Sequence, residues 1–245
     1  MKRTMTSEPQ KSRWLPDSIE LLVFDLDGTL IDSKDDLVHS VNAVRLRMGL
    51  DALPEETVAS YVGRGVVLLM KQALGDLATD ETVAQAVEFF FDYYRAHMLD
   101  NTVPYPGVVE TLNRLQDRRM AVLTNKPVLF SQAILDGLGL SRYFVRVYGG
   151  NSFAQKKPDP MGLFALMQEA NVTGAATMMV GDSETDVLVG RNARAWTCGV
   201  TYGLSPETLE VTPPDFLLHD FRELAHLLNG DDASPGAREA IAIGS

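Results

Sequence analysis

The chain has 245 residues, and its 33 acidic against 22 basic side chains give a net charge of −11. Hydrophobic residues make up 45% and charged residues 22%, which is typical of a soluble globular protein and excludes collagen-like or disordered chains. The acidic balance argues against a nucleic acid or an anionic membrane as partner, because both attract a positive surface. The length fits one domain with a modest insertion.

Cys198 is the only cysteine, which excludes internal disulfides and cysteine-rich zinc sites and favours a cytoplasmic location. No segment approaches the ~18 consecutive apolar residues that cross a membrane. We expect flexible tails at residues 1–16 and 230–245. The first is basic but lacks the apolar core of a secretory signal, and the second is rich in glycine, alanine and serine.

Short apolar runs alternate with amphipathic segments along the chain, which predicts an α/β fold with a parallel sheet covered by helices. The first run covers residues 21–24 and stops at Asp25. Further predicted strands are residues 120–123, 144–148, 177–180, 196–201 and 216–218. Predicted helices between them include residues 108–115, 129–138 and 163–167.

Residues 33–103 break this alternation, because they contain apolar residues at helical spacing and no convincing strand. Ser33 and Asp36 form a possible capping box at the start of this segment. One apolar stripe follows it, made of Leu37, Val41, Val44 and Met48. A second stripe, interpreted as helix packing, is made of Val83, Val87, Phe90, Phe91, Tyr94 and Met98. We predict a helical insertion at 33–103 and a core formed by residues 17–32 and 104–229.

Polar motifs follow several of the predicted strands. They are DLDGTL at residues 25–30, TNK at 124–126 and GDSETD at 181–186, with KKPDP at 156–160 between the last two. Ligands of open α/β sheets bind beyond the carboxyl ends of the strands. If the strands are parallel, these motifs converge on one edge of the sheet.

Four carboxylates, those of Asp25, Asp27, Asp182 and Asp186, are expected at that edge. Two unit charges ~4 Å apart repel by about 4 kcal/mol at an effective dielectric constant near 20, so the cluster would exclude a phosphate. A divalent cation removes this conflict, and hard oxygen ligands suit Mg²⁺. The motifs contain no histidine or cysteine, which argues against zinc. We therefore predict a magnesium site.

With its charge balanced, an aspartate can attack phosphorus and form an aspartyl-phosphate. Asp25 is the predicted nucleophile because it stands at the end of the first strand. Asp27 lies two residues further on, which places it on the same side of an extended chain. We predict that Asp27 protonates the leaving oxygen and later activates water.

Phosphoryl oxygens gain charge during the transfer and need hydrogen-bond donors. The predicted donors are the side chains of Thr124 and Lys157 and the backbone amides of Leu26 and Asn125. We choose Lys157 over its neighbour Lys156 because it directly precedes a proline. Lys156 and Lys126 are interpreted as solvated.

The motifs DLDGTL, TN, KPDP and GDSETD together resemble those of the haloacid dehalogenase superfamily, from about residue 20 to residue 229. The resemblance implies a Rossmann-like core, a helical cap after the first strand, and the nucleophile and acid/base roles above. It implies a magnesium ion held by Asp25, the backbone carbonyl of Asp27 and Asp182, with Asp186 in support. Implied phosphate ligands are Thr124, Asn125 and Lys157. True dehalogenases lack an acid at the position of Asp27, so the chain is similar to the phosphohydrolases.

Within the superfamily the sequence resembles the phosphoglycolate phosphatases. The similar stretches are FDLDGTLIDS, YVGRGVVLLMKQAL, YPGVVETLNRL, GGNSFAQKKPDP and GDSETDVLVGRNA. It departs from them at Asn151, where aspartate is more usual. In the cap segment, Gly63 and Gly65 would let the backbone approach a ligand, and Arg64 could pair with a carboxylate such as that of 2-phosphoglycolate. A surface turn with a solvated arginine is the alternative.

These observations predict a magnesium-dependent phosphomonoester hydrolase that acts on a small phosphorylated metabolite, with 2-phosphoglycolate as the leading substrate. We expect a monomer or a homodimer. A phosphosugar mutase with the same core is an alternative, because cap residues decide whether the phosphoryl group returns to the substrate. A non-catalytic module that accepts phosphate on Asp25 is a second alternative, although such a module needs neither a cap nor the acid at Asp27.

Overall fold

The computed structural model describes residues 19–229, so both predicted tails lie outside the described residues. Six strands form a parallel sheet in the order β5-β4-β1-β6-β7-β8, and β2 pairs with β3 in an antiparallel ribbon. The strands are β1 (Leu21–Phe24), β2 (Ile31–Asp32), β3 (Val103–Pro104), β4 (Arg119–Leu123), β5 (Arg146–Tyr148), β6 (Thr177–Gly181), β7 (Trp196–Val200) and β8 (Phe216–Leu218). The parallel sheet confirms the predicted α/β fold class.

Helices separate the strands along the chain, and no helix within residues 19–229 has the length and apolar character needed to cross a membrane. They are α1 (Lys34–Arg47), α2 (Glu55–Ala59), α3 (Val66–Leu74), α4 (Asp80–His97), α5 (Val108–Arg114), α6 (Val128–Gly137), α7 (Met161–Ala170), α8 (Glu184–Asn192), α9 (Thr208–Val211) and α10 (Glu223–Asn229). All three helices predicted in the core are present as α5, α6 and α7.

Helices cover both faces of the sheet, which explains why β1 is apolar at every position. Leu22 and Phe24 belong to a core cluster shared with α5, α6 and α10. Leu21 and Val23 point the other way, into a cluster shared with α7 and α8. Burial of each such side chain contributes about 1.5–3 kcal/mol relative to exposure. The edge of the sheet where β1 ends is therefore held firmly in place.

The predicted strand at residues 144–148 is shorter in the structure, where β5 begins at Arg146. Phe144 instead ends a short 3-10 helix, Ser141–Tyr143, and its backbone N–H donates to the carbonyl of Ser141. Val145 still donates to the carbonyl of Met120 on β4. The local turn therefore shortens the strand at its start, and the hydrogen bond from Val145 keeps this part of the chain paired with β4.

The four helices α1 to α4 lie within residues 33–103, the segment predicted as a helical insertion, and we call them the cap. Helix α4 packs against α1 and α3, and α1 also contacts α2. The apolar stripes supply this packing, since Val41, Val44, Val83 and Phe90 are buried. The ribbon of β2 and β3 joins the cap to the core.

The predicted capping box at the start of α1 is wrong. The side chain of Ser33 makes no capping hydrogen bond, and its Oγ donates to Asp27 Oδ1 at 2.6 Å. The buried Asp36 carboxylate accepts hydrogen bonds from the backbone and side chains of Asn101 and Thr102 at 2.7–3.1 Å. Asp36 therefore links α1 to the chain that enters β3 and does not cap the N-terminus of its own helix.

Candidate active site

Motifs distant in sequence meet at the carboxyl edge of the sheet. Asp25 follows β1, Thr124 follows β4 and Asp182 follows β6, and β1 lies between the other two strands. Asp186 joins them from the first turn of α8. One carboxylate oxygen from each of Asp25, Asp182 and Asp186 lies within 4.8 Å of the others, and all three residues are buried. The predicted convergence is observed for three of the four carboxylates.

Lys157 is the lysine that enters this cluster, whereas Lys156 is exposed. The Lys157 Nζ lies 2.9 Å from Asp25 Oδ1 and 2.6 Å from Asp186 Oδ1. Asp182 instead accepts backbone N–H bonds, from Leu204 at 2.7 Å and from Ser205 at 3.2 Å. Three carboxylates and one ammonium group leave two negative charges uncompensated within the cluster.

The pKa values of the cluster reflect this excess of negative charge. Burial, together with the charges of Asp186 and Asp25, raises the pKa of Asp182 to about 8. Burial also raises the pKa of Asp25 to about 6, although Lys157 opposes the shift. A bound divalent cation would balance two charges and favour ionised carboxylates. The donor set of hard oxygens with two charges to balance fits such an ion.

Glycines allow the backbone to lie directly against these carboxylates. A Cβ on Gly28, whose φ is +81°, would lie 2.3 Å from Asp182 Oδ2, and one on Gly203 would lie 2.2 Å from Asp182 Cβ. On Gly181 it would lie 2.1 Å from Asp186 Cγ. A larger residue at these positions would displace the carboxylates.

Asp27 lies outside the cluster and forms an ion pair with Lys126. Lys126 Nζ is 3.0 Å from Asp27 Oδ1 and 3.1 Å from Oδ2, and it also donates to the hydroxyl of Tyr94 at 2.8 Å. Burial alone would lower the pKa of Lys126, but Asp27 and Tyr94 outweigh it and raise that pKa. Lys126 therefore stays protonated between the core and the cap helix α4.

One interpretation from the sequence is wrong here, and another is incomplete. Lys126 was interpreted as solvated, but its side chain is only 6% exposed. Tyr94 packs in the core as predicted, but its hydroxyl also contacts Lys126 and its side chain lines a cavity. The position of Lys126 directly after the strand-end motif was the one available signal, and it was discounted because lysines are usually exposed.

Asn125 and Leu26 use part of their hydrogen-bonding capacity inside the protein. The Leu26 N–H donates to Asp25 Oδ1 at 2.7 Å. The side-chain amide of Asn125 donates to the carbonyls of Gly63 at 2.9 Å and Lys157 at 3.1 Å, and accepts from the Lys157 N–H at 3.0 Å. Asn125 thus holds the lysine loop and the cap loop together. The hydroxyl of Thr124 accepts from the Lys126 N–H at 3.3 Å.

A cavity lies between the cap and the carboxyl edge of the sheet. Its core side carries Asp25, Asp27, Thr124, Lys126 and Asp182. Its cap side is largely apolar and is formed by Leu37, Tyr61, Val62, Val66, Leu69, Phe90, Phe91 and Tyr94, together with Gly63 and Gly65. The nucleophile predicted from the sequence thus faces a partly open space suited to a small substrate.

Arg64 is not among the residues that line this cavity. Its side chain is 61% exposed, and Nη2 lies 2.8 Å from Glu184 Oε1 on α8. The two neighbouring glycines do line the cavity, as the sequence predicted for this loop. The geometry therefore places Arg64 in a contact between cap and core, away from the position expected for a carboxylate ligand.

Comparisons with known proteins agree with this geometry. A family model described as haloacid dehalogenase-like hydrolase matches residues 22–200. A phosphoglycolate phosphatase from Vibrio parahaemolyticus is 38% identical over 221 residues, which cover 86% of this chain and 96% of that protein. One from Agrobacterium fabrum is 36% identical over 225 residues, covering 90% and 97%.

A solved structure extends the similarity to three dimensions. The crystal structure of a predicted phosphoglycolate phosphatase from Haemophilus somnus 129PT matches with a TM-score of 0.80 and 30% identity, covering 84% of this chain and 96% of that chain. The chain therefore belongs to the haloacid dehalogenase-like hydrolase family. Within that family it is an enzyme of the phosphatase class.

Proposed function

We propose that the enzyme is a Mg²⁺-dependent phosphomonoester hydrolase that works through an aspartyl-phosphate on Asp25, with 2-phosphoglycolate as its substrate. The observation that carries the proposal is the buried cluster of Asp25, Asp182 and Asp186 around Lys157, beside a cavity lined by the cap. The substrate is suggested by relatives named phosphoglycolate phosphatase.

Asp25, Asp182 and the backbone carbonyl of Asp27 would hold the Mg²⁺, with Asp186 in support. When bound, the ion supplies positive charge that stabilises the phosphoryl oxygens and the ionised carboxylates. The two uncompensated charges of the cluster support a divalent ion over a monovalent one. The carboxylate donors support a hard ion such as Mg²⁺ over zinc.

Asp25 has one oxygen available for attack. Oδ1 accepts hydrogen bonds from the Leu26 N–H and lies against Lys157, so Oδ2 is the nucleophile. It forms a bond to phosphorus while the bond from phosphorus to the ester oxygen breaks. Asp27 gives its proton to that oxygen, and the alcohol leaves. The Lys157 ammonium and the Thr124 hydroxyl donate to the phosphoryl oxygens.

Hydrolysis of the intermediate reverses the role of Asp27. Its carboxylate now takes a proton from a water molecule, whose oxygen attacks phosphorus, and the bond to Asp25 breaks. Phosphate leaves, and Asp25 is again a carboxylate while Asp27 is again protonated. Closure of the cap over the substrate would exclude bulk water, and hydrolysis requires one positioned water.

The apolar cap wall favours this hydrolase over a phosphosugar mutase. Val62, Val66, Leu69 and Phe90 offer no side-chain hydrogen bonds, so the hydroxyls of a sugar would lose their water partners there. A mutase would return the phosphoryl group to the substrate and release no inorganic phosphate. The second alternative, a non-catalytic phosphate acceptor, is disfavoured by the cavity between cap and core and by the family of its relatives.

A substrate panel tests the proposal. Phosphate release would be measured with Mg²⁺ on 2-phosphoglycolate, phosphosugars, nucleotides and pyrophosphate, and we expect the highest kcat/KM for 2-phosphoglycolate. Asp25→Asn should abolish turnover while circular dichroism shows the fold retained, because size is kept and the nucleophile is lost. Near wild-type turnover of that variant, or full activity in excess chelator, would refute the mechanism.

We also propose a cytoplasmic location and a monomer or homodimer without a nucleic-acid or membrane partner. The single Cys198 is buried and free, which suits a reducing compartment. The net charge of −11 would repel polyanions. Cell fractionation tests the location, and analytical ultracentrifugation decides between one and two chains.

A further inference from the structure

The side chains around Asp27 show where the leaving group of the substrate would lie. In the proposed mechanism the phosphorus lies next to the Asp25 carboxylate, which attacks it. The ester oxygen lies next to Asp27, which protonates it. Lys126 Nζ lies 3.0 Å and 3.1 Å from the two carboxylate oxygens of Asp27. A carboxylate bonded to the ester carbon would therefore be within reach of the Lys126 ammonium.

Lys126 is also the only basic residue among the described residues that line the cavity. Lys157 lies within the carboxylate cluster and is not among the lining residues, and Arg64 contacts Glu184 outside the cavity. An anionic leaving group that enters the cavity therefore meets one cation. Lys126 is buried, and a charge-assisted hydrogen bond is stronger at a buried site than at the surface.

Tyr94 gives this position a second polar group. Its hydroxyl accepts a hydrogen bond from Lys126 at 2.8 Å, so the hydroxyl hydrogen remains available to a ligand oxygen. Tyr94 stands on the cap helix α4, whereas Lys126 stands on the core. A carboxylate has two oxygens and can accept from both groups at once, which would hold cap and core together around the substrate.

We propose that Lys126 and the Tyr94 hydroxyl form the subsite for a substrate carboxylate. The subsite selects short phosphomonoesters with a carboxylate bonded directly to the ester carbon. Apolar residues such as Val66, Leu69 and Phe91 form most of the cap side of the cavity and disfavour substrates with further hydroxyls there. This inference rests on the proposed phosphomonoester hydrolase.

The test compares 2-phosphoglycolate with ethyl phosphate, which has a methyl group in place of the carboxylate. The quantity measured is the ratio of the two kcat/KM values, because damage to Asp27 or to the fold lowers both values and leaves their ratio unchanged. We expect Lys126→Met to lower the ratio by about 10- to 100-fold, the usual loss for a charged hydrogen bond. Arg64→Ala and the matched control Lys156→Met should keep the wild-type ratio.

Tyr94→Phe keeps the ring and its packing, so it also decides the case in which Lys126→Met does not fold. We expect its ratio to fall about 3- to 10-fold, the usual loss for one hydrogen bond. An unchanged ratio in either folded variant overturns the subsite, as does a ratio that falls only with Arg64→Ala. If the wild type hydrolyses both esters equally, the subsite fails while the hydrolase stands. If it releases phosphate from no phosphomonoester, the proposed function itself fails.

Discussion

Single residues at the carboxylate cluster are constrained by what touches them. Gly28 is the clearest example, because it combines a φ of +81° with a closest approach of 2.3 Å between a built Cβ and Asp182 Oδ2. Gly49 has a similar φ of +75°, but nothing lies within 4 Å of its built Cβ. A comparison of substitutions at Gly28 and Gly49 therefore distinguishes the cost of backbone strain from the cost of displacing the Asp182 carboxylate.

Gly28→Ala should lower the free energy of unfolding by about 2–4 kcal/mol, since strain and overpacking add. Gly49→Ala should cost only the strain of about 1–2 kcal/mol. We further expect Gly28→Ala to lose phosphatase activity and Gly49→Ala to keep it. Urea unfolding and phosphate release would measure the two effects. Equal stability losses with equal activities would show that Gly28 does not position Asp182.

The cluster also predicts how stability depends on pH. The pKa of Asp25 is raised to about 6 and that of Asp182 to about 8, chiefly by burial. Acids with folded pKa values above the unfolded value of about 3.9 stabilise the fold when protonated. That stabilisation is complete below about pH 4 and is lost as pH rises through 6 and 8.

Added Mg²⁺ should therefore raise the Tm more at pH 8.5 than at pH 5. The ion binds ionised carboxylates, and at pH 5 it must first displace the protons of Asp25 and Asp182. Thermal melts with Mg²⁺ and with chelator at both pH values measure this difference. Asp182→Asn should flatten the pH dependence of the metal-free protein. An equal gain in Tm at both pH values would contradict the charge account.

At the scale of elements, Asp36 joins the two ends of the cap segment at its base. It stands in the first turn of α1 and binds Asn101 and Thr102, just before β3. Burial alone would raise the pKa of Asp36, but the hydrogen bonds from Thr102 and Asn101 outweigh it and lower that pKa. An acid with a lowered folded pKa stabilises the fold above the unfolded pKa and loses this effect as pH falls through the folded value.

Asp36→Ala should lower the free energy of unfolding by about 2–4 kcal/mol, because several buried donors lose their acceptor. The matched control is Asp35→Ala, which changes an exposed residue in the same helical turn and should cost under about 0.5 kcal/mol. Urea unfolding of both variants at pH 7 measures this contrast. If the two losses are equal, Asp36 does not hold the base of the cap.

Elements were predictable from the sequence where one local rule decided them. The apolar run of β1 and the aspartate that ends it predicted a buried strand and a site at its end, because β1 is covered on both faces. The start of α1 was not predictable in detail. Ser33 and Asp36 have the spacing of a capping box, but their partners Asp27 and Thr102 come from other elements.

At the scale of the whole molecule, the catalytic site depends on contacts between cap and core that no local pattern reveals. Lys126 is buried because Asp27 and Tyr94 both reach it, and Tyr94 is 32 residues away in the chain. Arg64 lies outside the cavity because it pairs with Glu184, which is 120 residues away in the chain. The core motifs could be predicted because parallel strands bring them together, whereas the cap contacts depend on how two units close.

Trapping the phosphorylated enzyme tests the central claim most directly. Asp27→Asn would be mixed with Mg²⁺ and p-nitrophenyl phosphate, whose leaving group needs no proton, so transfer proceeds while hydrolysis stalls without its base. We predict a burst of about one nitrophenolate per enzyme and one phosphoryl group on Asp25, located by peptide mass spectrometry. Asp25→Asn is the control and should show neither. A phosphoryl group on another residue, or steady hydrolysis without a burst, would contradict the mechanism.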